Sequence, residues 1–483
     1  MVGGDVGLTW EVLSAAASGA GHPEVLAWAS ELNDEGRSRL VESAKGFGTR
    51  EGFAALDRIF KVSTAGVGDD VAGTARPWPK GGVAGLDDVG AASRSEGWRK
   101  RGLQEIQKGR VGVVLLAGGQ GTRLGYDGPK GCFDVGLPSG KSLFQMQAER
   151  LLRLQRVADG PAIPWYVMTS DFNHEATVRH FEEGGFFGLD PSQVMFFKQG
   201  TLPCFDNTGK LLLEEKSCVA LAPDGNGGIY AALKGEGVLA DMEARGVHHV
   251  HVYCVDNALA RPGDPEFVGC CAEAGRGCGA TVVKKAYPEE PVGVFAMRRD
   301  GAGADLPAVV EYSELDPADA SRVDPTTGEM AFAWANICVH YFSVPFLRDA
   351  CERLEAEALY HVARKKIPHV DPVSGASVKP DKPNGIKLEM FIFDVFRLSA
   401  DGVTLLEVDR AKAFSPVKNA EGKDSPATAR EHLLALHESW IKAAGGKVDG
   451  PGGAEVDPIA SYEGEGLEDL VRGKVIRPFS VVG

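Results

Sequence analysis

A glycine-rich segment, LLAGGQGTRLGYDGPKG at residues 115–131, constrains this chain more than any other part of its sequence. It overlaps the end of VGVVLL (111–116), a short apolar and β-branched run that predicts a buried parallel strand. Glycines free a backbone to adopt positive φ and let N–H groups close around an anionic oxygen. Four glycines fall within eight residues here: Gly118, Gly119, Gly121 and Gly125. The segment therefore predicts an anion site at the carboxyl end of a strand.

Two cationic side chains accompany these glycines. Arg123 and Lys130 stand seven residues apart and supply a planar fork and a mobile point charge. These are the two cation types best suited to polyphosphates, whereas an ordinary tight turn between a strand and a helix explains glycines but not paired cations. We therefore interpret residues 115–131 as a phosphate loop for a nucleoside triphosphate.

Two commoner glycine motifs fit this part of the sequence less well. A dinucleotide fingerprint needs GxGxxG, but Leu124 stands where the third glycine would fall. The segment GLPSGKS (136–142) has one residue too few for a P-loop, and Val135 occupies the place of the first glycine. We instead predict a turn at 138–140, followed by a helix that starts near Ser142.

Strand-like and helix-like segments alternate between about residues 111 and 394, which predicts a doubly wound α/β domain with a mostly parallel sheet. Ligands of such folds lie beyond the carboxyl ends of the strands. We predict three domains: a mainly helical N-terminal domain (1–104), a central domain (105–400) and a small C-terminal module (401–483). The alternating segments are WYVMTS (165–170), a helix over 174–183, VMFFKQ (194–199), HVHVYCVD (249–256) and ATVVKK (280–285).

Composition excludes several functional classes. A chain of 483 residues with 43% hydrophobic and 25% charged residues is typical of globular proteins with more than one domain. Its net charge of −15 argues against a nucleic-acid or anionic-membrane binder, since both need broad basic surfaces. No apolar run approaches the ~20 residues that span a bilayer, and no signal peptide is evident. We therefore expect a cytoplasmic protein, and its oligomeric state stays open.

Other polar residues lie where the predicted strands end. Asp256 closes the run HVHVYCVD and would offer Mg²⁺ an oxygen ligand at the edge of the sheet, although a helix N-cap or a turn aspartate explains it too. The turn PDGNGG (223–228) combines close backbone approach with the amide of Asn226, but a plain turn is the simpler interpretation. Glu311 would present a carboxylate to sugar hydroxyls from a strand. Asn336 is a second polar group beside an aromatic-rich stretch that could hold a hexose ring and its acetamido group, whereas strand packing explains the aromatic residues equally well.

The phosphate loop, together with strings spread over most of the chain, resembles the eukaryotic UDP-N-acetylhexosamine pyrophosphorylases within the uridylyltransferase group. The order and approximate spacing of the strings match as well. The resemblance implies a Rossmann-like nucleotidyltransferase core. The strings are LAGGQGTRLG, PKG, DVGLPSGK, QGTLPCFD (199–206), APDGNGGIYAAL (222–233), HVYCVDNALARPGDPEF (251–267), VVEYSEL (309–315), KPDKPNGIKLEMFIFD (379–394) and FSPVKN (414–419).

The same resemblance implies roles for individual residues. Catalytic roles fall on cations that face phosphates, and Asp256 is implied as the residue beside the metal and phosphates, with Mg²⁺ or Mn²⁺ as cofactor. The catalytic residues implied are Arg123, Lys130 and Lys387. The substrate-binding residues implied are Leu116, Ala117, Gly118, Gly119, Gln199, Gly225, Asn226, Asp256, Glu311, Tyr312, Asn336 and Lys418.

The resemblance predicts a uridylyltransferase that makes UDP-N-acetylglucosamine and pyrophosphate from UTP and N-acetylglucosamine 1-phosphate. Two alternatives stay open. One is a pyrophosphorylase for glucose or galactose 1-phosphate, which an open acetamido pocket would argue against. The other is a UDP-sugar sensor without turnover, which the presence of Arg123, Lys130, Asp256 and Lys387 together makes less favoured.

Overall fold

The computed structural model of the chain describes residues 7–65, 75–79, 81–86, 90–300, 302–357 and 360–483. Its residues form two compact units, and each unit is assembled from three separate stretches of sequence. The first unit comprises Met1–Thr74, Gln199–Ala232 and Ala350–Asp394. The second unit comprises Ala75–Lys198, Leu233–Asp349 and Val395–Gly483.

The second unit contains the main sheet, which has eleven strands within the described residues. Most of its long strands are β-branched, apolar runs with no alternation, because both faces of the sheet are covered. The strands are β1 (Ala75–Pro77), β2 (Val83–Ala84), β3 (Val111–Leu116), β4 (Trp165–Thr169), β5 (Val194–Lys198), β6 (His249–Cys254), β7 (Cys278–Lys284), β8 (Val294–Arg299), β9 (Asp305–Val310), β10 (Trp334–Ser343) and β11 (Val403–Glu407).

Eight of these strands follow one another in the order β2-β11-β7-β10-β6-β3-β4-β5. The pairings between β6, β3, β4 and β5 are parallel, as are those of β2 with β11 and β11 with β7. Only β10 runs against its neighbours within this series, while β8 pairs antiparallel with β1, β9 and β10. The chain progresses outward through β4 and β5 and then returns to the other side of β3, so the topological switch point lies between β3 and β6.

Helices flank this sheet within the second unit. Helix Leu143–Ala158 begins after the N-cap Ser142, whose hydroxyl accepts the N–H of Gln145 at 3.2 Å. It buries Phe144 and Leu151 in the same apolar cluster as Leu115 of β3. The other helices wholly within this unit are Ala91–Gln107, His174–Glu183, Val238–Ala244, Pro265–Ala274, Pro317–Ala320, Arg410–Ala413, Pro426–Ala443 and Glu468–Val471.

The first unit is a helical cluster packed on short strands. Its apolar core joins Leu13 and Phe53 of the N-terminal helices to Phe205 and Ile386, which pair across two strands. Its helices are Trp10–Ala20, Asp34–Ser43 and Arg50–Thr64, and its strands are Thr201–Pro203, Phe205–Asp206, Leu213–Glu215, Cys218–Val219, Leu221–Pro223, His361–Lys365, His369–Val370, Ser377–Val378 and Gly385–Glu389. Two helices, Ile229–Gly235 and Val344–Glu357, include the points where the chain passes from one unit to the other.

The α/β fold with a mostly parallel sheet is confirmed, as are the helix over 174–183 and the helix start near Ser142. The compact units do not follow the boundaries predicted at 104 and 400, since strand pairing joins stretches that are far apart in sequence. The three-domain division stays a prediction. Among the described residues, no helix is both long enough and apolar enough to cross a membrane.

Candidate active site

The phosphate loop leaves β3 at the switch point of the sheet. All six residues of β3 are buried, and the loop closes on itself through Gly121 N–H to Gly128 O (2.8 Å) and Lys130 N–H to Gly119 O (3.1 Å). Of the four glycines whose freedom we predicted to matter, Gly125 has the positive φ, +71°. At Gly121 the requirement is steric instead, because a Cβ there would lie 2.7 Å from the ring of Tyr126. Within this loop, positive φ is therefore used at Gly125, and the absence of a side chain matters for packing at Gly121.

Both predicted cations lie on short helical turns of this loop. Arg123 is exposed on the turn Thr122–Leu124. Lys130 is half-buried at the start of Lys130–Cys132, and its Nζ lies 3.9 Å from Asp256 Oδ2. The main chain of Lys130 is fixed by the bond from its N–H to Gly119 O, and its Nζ lies on the side of Asp256. The loop thus carries one exposed guanidinium and one half-buried ammonium, and the ammonium lies near Asp256.

Asp256 reaches this place because β6 and β3 are parallel and in register. Cys254 pairs with Leu116 at the ends of the two strands, and Asp256 follows two residues later. The main-chain oxygen of Asp256 accepts the N–H of Val417 at 2.8 Å, which brings the exposed Lys418 beside it in the chain. Asp256 is not a helix N-cap but lies in the turn that follows β6, so a turn aspartate stays open as the plain interpretation beside a metal ligand.

A further polar group lies where β8, β9 and β10 meet. A Cβ on Gly293 would lie 2.8 Å from Glu311 Oε1, and the carbonyl of Gly293 accepts the N–H of Asn336 at 2.8 Å. The structure therefore brings Glu311 and Asn336 together around Gly293. Tyr312, the neighbour of Glu311, is 55% exposed.

Asn336 is oriented by two hydrogen bonds to its side-chain oxygen. Oδ1 accepts the N–H of Cys338 at 3.0 Å and lies 3.0 Å from Nε2 of His340. Burial lowers the pKa of His340 to about 3, so the ring is neutral and donates from Nε2. With Oδ1 engaged twice, the N–H groups of the Asn336 amide are the hydrogen-bonding atoms of this side chain that these bonds leave unused.

The first unit carries the remaining predicted residues. Gln199 is buried, and Gly225 has φ +86° with Met390 O only 2.3 Å from where a Cβ would stand. Asn226 Oδ1 accepts the N–H of Ile392 at 3.0 Å. Lys387 lies on the strand Gly385–Glu389. This strand is followed directly by Met390 and Ile392, the two residues that contact the turn at Gly225 and Asn226. Gly225, Asn226 and Lys387 therefore belong to one local assembly, although they are distant in sequence.

The predicted site residues thus form three groups, two in the second unit and one in the first. The implied role of Lys387 as a catalytic cation beside Arg123 and Lys130 stays a prediction. The lysine of the near-miss P-loop, Lys141, has a structural role instead, because its Nζ is paired with Glu149 at 2.6 Å and Asp457 at 2.8 Å. Within the described part of the chain, no three His, Cys, Asp or Glu side chains form a cluster that could hold a metal ion. The nine cysteines are all free thiols.

Comparison with known proteins decides the family. Residues 87–447 match the model of the UTP–glucose-1-phosphate uridylyltransferase family. The chain belongs to this uridylyltransferase family. The matched residues include the phosphate loop, Asp256 and Lys418, which are the groups that the second unit brings together.

Relatives of this uridylyltransferase-family chain carry more specific names. It is 44% identical over 470 residues to UDP-N-acetylglucosamine diphosphorylase 1 of Arabidopsis thaliana, covering 94% of this chain and 89% of the relative. It is 43% identical to the UDP-N-acetylglucosamine pyrophosphorylase of Saccharomyces cerevisiae, with 82% of each chain covered. The Trypanosoma brucei uridine diphosphate N-acetylglucosamine pyrophosphorylase, solved with an inhibitor, superposes with a TM-score of 0.82 at 32% identity, covering 95% and 94%. The predicted resemblance is confirmed.

Sequence patterns did not indicate several residues that lie next to the predicted site residues of this uridylyltransferase-family chain. Gly293 and His340 shape and orient Glu311 and Asn336, yet an isolated glycine and an isolated histidine carry no motif. Asp224 was also missed, although it stands inside the PDGNGG turn. The residue is 6% exposed, and its Oδ1 would lie 2.0 Å from a Cβ on Gly228. The glycine that ends the turn is therefore required by the aspartate near its start.

The carboxyl of Asp224 predicts a pH-dependent stability. Burial raises its pKa to about 7, and its Oδ1 has no hydrogen-bond partner among the described residues. The folded chain therefore holds a proton that the unfolded chain releases above about pH 4, so this group lowers the free energy of unfolding as pH rises from about 4 to about 7.

Replacement of Asp224 by asparagine (D224N) removes this loss of stability at higher pH. We expect the melting temperature of D224N relative to the wild type to rise by several degrees between about pH 5 and about pH 8. If the melting temperatures of the two proteins changed with pH by the same amount, the raised pKa of the Asp224 carboxyl would be contradicted.

Proposed function

We propose that this chain transfers a uridylyl group from UTP to N-acetylglucosamine 1-phosphate, forming UDP-N-acetylglucosamine and pyrophosphate. The observation that carries the proposal is the grouping of Lys130, Asp256 and the phosphate loop at the switch point of the sheet. The family membership and the relatives' names support the reaction class and the sugar.

The reaction needs no nucleophile from the protein, because the phosphate of the sugar substrate is ionised at neutral pH. It attacks the α-phosphorus of UTP in line, the bond to the bridging oxygen breaks, and pyrophosphate leaves. Catalysis is then positioning and charge stabilisation. We assign Arg123 and Lys130 to the charge that develops on the departing pyrophosphate, and Lys387 to the attacking phosphate. Gln199, Gly225 and Asn226 are proposed to hold the uridine.

We propose that Mg²⁺, which Mn²⁺ could replace, is held by Asp256 and phosphate oxygens. The residues fit this group, because Asp256 is partly exposed, accepts only, and lies beside the loop that would hold the phosphates. A hard cation of this size is commonly bound through one or two carboxylates plus substrate oxygens, which agrees with the absence of a multi-residue cluster within the described residues. When bound, it would offset negative charge on the α-phosphate.

The sugar is assigned to the group around Gly293. Asn336 offers N–H donors there, and Glu311 offers a carboxylate that can accept hydrogen bonds from sugar hydroxyls. An acetamido carbonyl is an acceptor, so it complements the fixed amide donors of Asn336. This complementarity favours an N-acetylated sugar over glucose.

The proposal is tested by measuring pyrophosphate release from UTP and Mg²⁺ with three acceptors: the 1-phosphates of N-acetylglucosamine, N-acetylgalactosamine and glucose. We expect faster turnover with the acetamido sugars. Turnover mainly with glucose 1-phosphate would assign the chain to the neighbouring activity. If no pyrophosphate were released with any of the three acceptors, but the protein bound UDP-N-acetylglucosamine, a sensor without turnover would be supported. The cytoplasmic location stays a prediction.

A further inference from the structure

The turn that follows β4 is bonded to the first residues of the phosphate loop. Ser170 and Asn173 are each only 1% exposed. Asn173 Nδ2 donates to Ala117 O at 2.8 Å and to Gly119 O at 3.3 Å, and Ser170 Oγ donates to Gly118 O at 2.9 Å. Two buried side chains therefore hold three consecutive carbonyl oxygens of the loop.

The turn itself fixes the direction of these donors. Asn173 Oδ1 accepts the N–H of Ser170 at 2.8 Å, and the N–H of Asn173 donates to Ser170 O at 3.1 Å. Because Oδ1 is engaged inside the turn, Nδ2 is the end of the amide that faces the loop. Gln120 adds a bond in the opposite direction, from its Nε2 to Phe172 O at 2.7 Å.

The held carbonyls determine where the loop's N–H groups point. In a planar trans peptide the C=O and N–H bonds point in opposite directions. The carbonyls of residues 117–119 share peptide planes with the N–H groups of Gly118, Gly119 and Gln120, which therefore point away from the turn. Within the described residues, none of these three N–H groups has a hydrogen-bond acceptor. A Cβ on Gly119 would also meet no atom within 4 Å.

We propose that Ser170 and Asn173 are positioning residues, which hold the carbonyls of residues 117–119 so that three successive N–H groups face the phosphates of UTP. Successive N–H groups turned to one side form an anion-binding concavity, and fixing them in advance removes the cost of orienting them when the ligand binds. This inference rests on the proposed function, since it takes UTP as the ligand.

The test compares the affinities of UTP and uridine, which lacks phosphates, by calorimetry. For the double variant S170A/N173A we expect UTP binding to weaken about tenfold or more, and for S170A alone by roughly two- to tenfold, because each loses bonds that orient the N–H groups. Uridine affinity should stay within about twofold of the wild type. The matched control is S399A, since Ser399 is also buried and its Oγ also donates to a carbonyl, Gly402 O at 2.7 Å.

The outcomes separate the inference from the function on which it rests. Equal weakening of UTP and uridine, or unchanged UTP affinity in folded S170A, would overturn the positioning role while leaving the uridylyltransferase proposal intact. A wild-type protein that binds no UTP would overturn both. S170A removes a single oxygen atom, so it keeps the test decisive if the double variant does not fold.

Discussion

Replacing Lys130 with methionine is expected to lower turnover about 10²- to 10³-fold, with a much smaller change in the Michaelis constant for UTP. A cation lies beside the loop before substrate binds, because the main chain of Lys130 is bonded to Gly119 O and its Nζ lies 3.9 Å from Asp256 Oδ2. A fixed cation stabilises charge most where the charge develops, which is on the departing pyrophosphate. Methionine keeps the length of the side chain and removes the charge.

The measurement is steady-state pyrophosphate release by K130M, with K442M as its matched control. Lys442 is an exposed lysine on helix Pro426–Ala443, paired with Glu438 at 2.7 Å, and its loss should leave the rate unchanged. Arg123→Met should act in the same direction as K130M. A variant of Lys130 that loses UTP affinity while keeping its turnover would contradict the role assigned to this residue.

Replacing Asp256 with asparagine is expected to lower turnover by about 10²-fold or more and to shift the Mg²⁺ dependence of the rate to higher concentration. Asp256 lies at the end of β6 beside the phosphate loop, where a carboxylate and substrate oxygens would share the cation. Asparagine keeps the shape of the side chain but loses its negative charge. The main-chain bond from Val417 to Asp256 O does not involve the side chain, so the local fold should persist.

The experiment on Asp256 is a titration of pyrophosphate release with Mg²⁺ for the wild type, D256N and a control. D449N is the control, because Asp449 is an exposed aspartate in the C-terminal part of the second unit. An unchanged Mg²⁺ midpoint in D256N would rule out Asp256 as the metal-holding residue, even if the rate fell.

Local signals predict much of the fold correctly. The runs at β3, β4, β5, β6 and β7 are recognisable because strands buried on both faces are continuous apolar segments. The N-cap at Ser142 is recognisable from the turn before it. The phosphate-loop residues stand out because glycines and cations fall close together in sequence.

The composition of the two units could not be predicted from local patterns. It depends on pairings such as Phe205 with Ile386, which join residues about 180 positions apart through short strands. The contact between the turn at Gly225 and the segment at Met390 could not be predicted for the same reason, because these residues are also far apart in sequence. Asp224 and His340 matter through burial and orientation, and neither property is visible in a single sequence.

The most direct test of the account asks whether the sugar phosphate itself attacks UTP. Labelled pyrophosphate is incubated with UTP, Mg²⁺ and the protein, and its incorporation into UTP is measured with and without N-acetylglucosamine 1-phosphate. We expect exchange only when the sugar phosphate is present, because Arg123, Lys130 and Asp256 position and stabilise charge without forming a bond to uridylate. Exchange without the sugar phosphate would reveal a covalent uridylyl-protein intermediate and contradict the direct transfer proposed here.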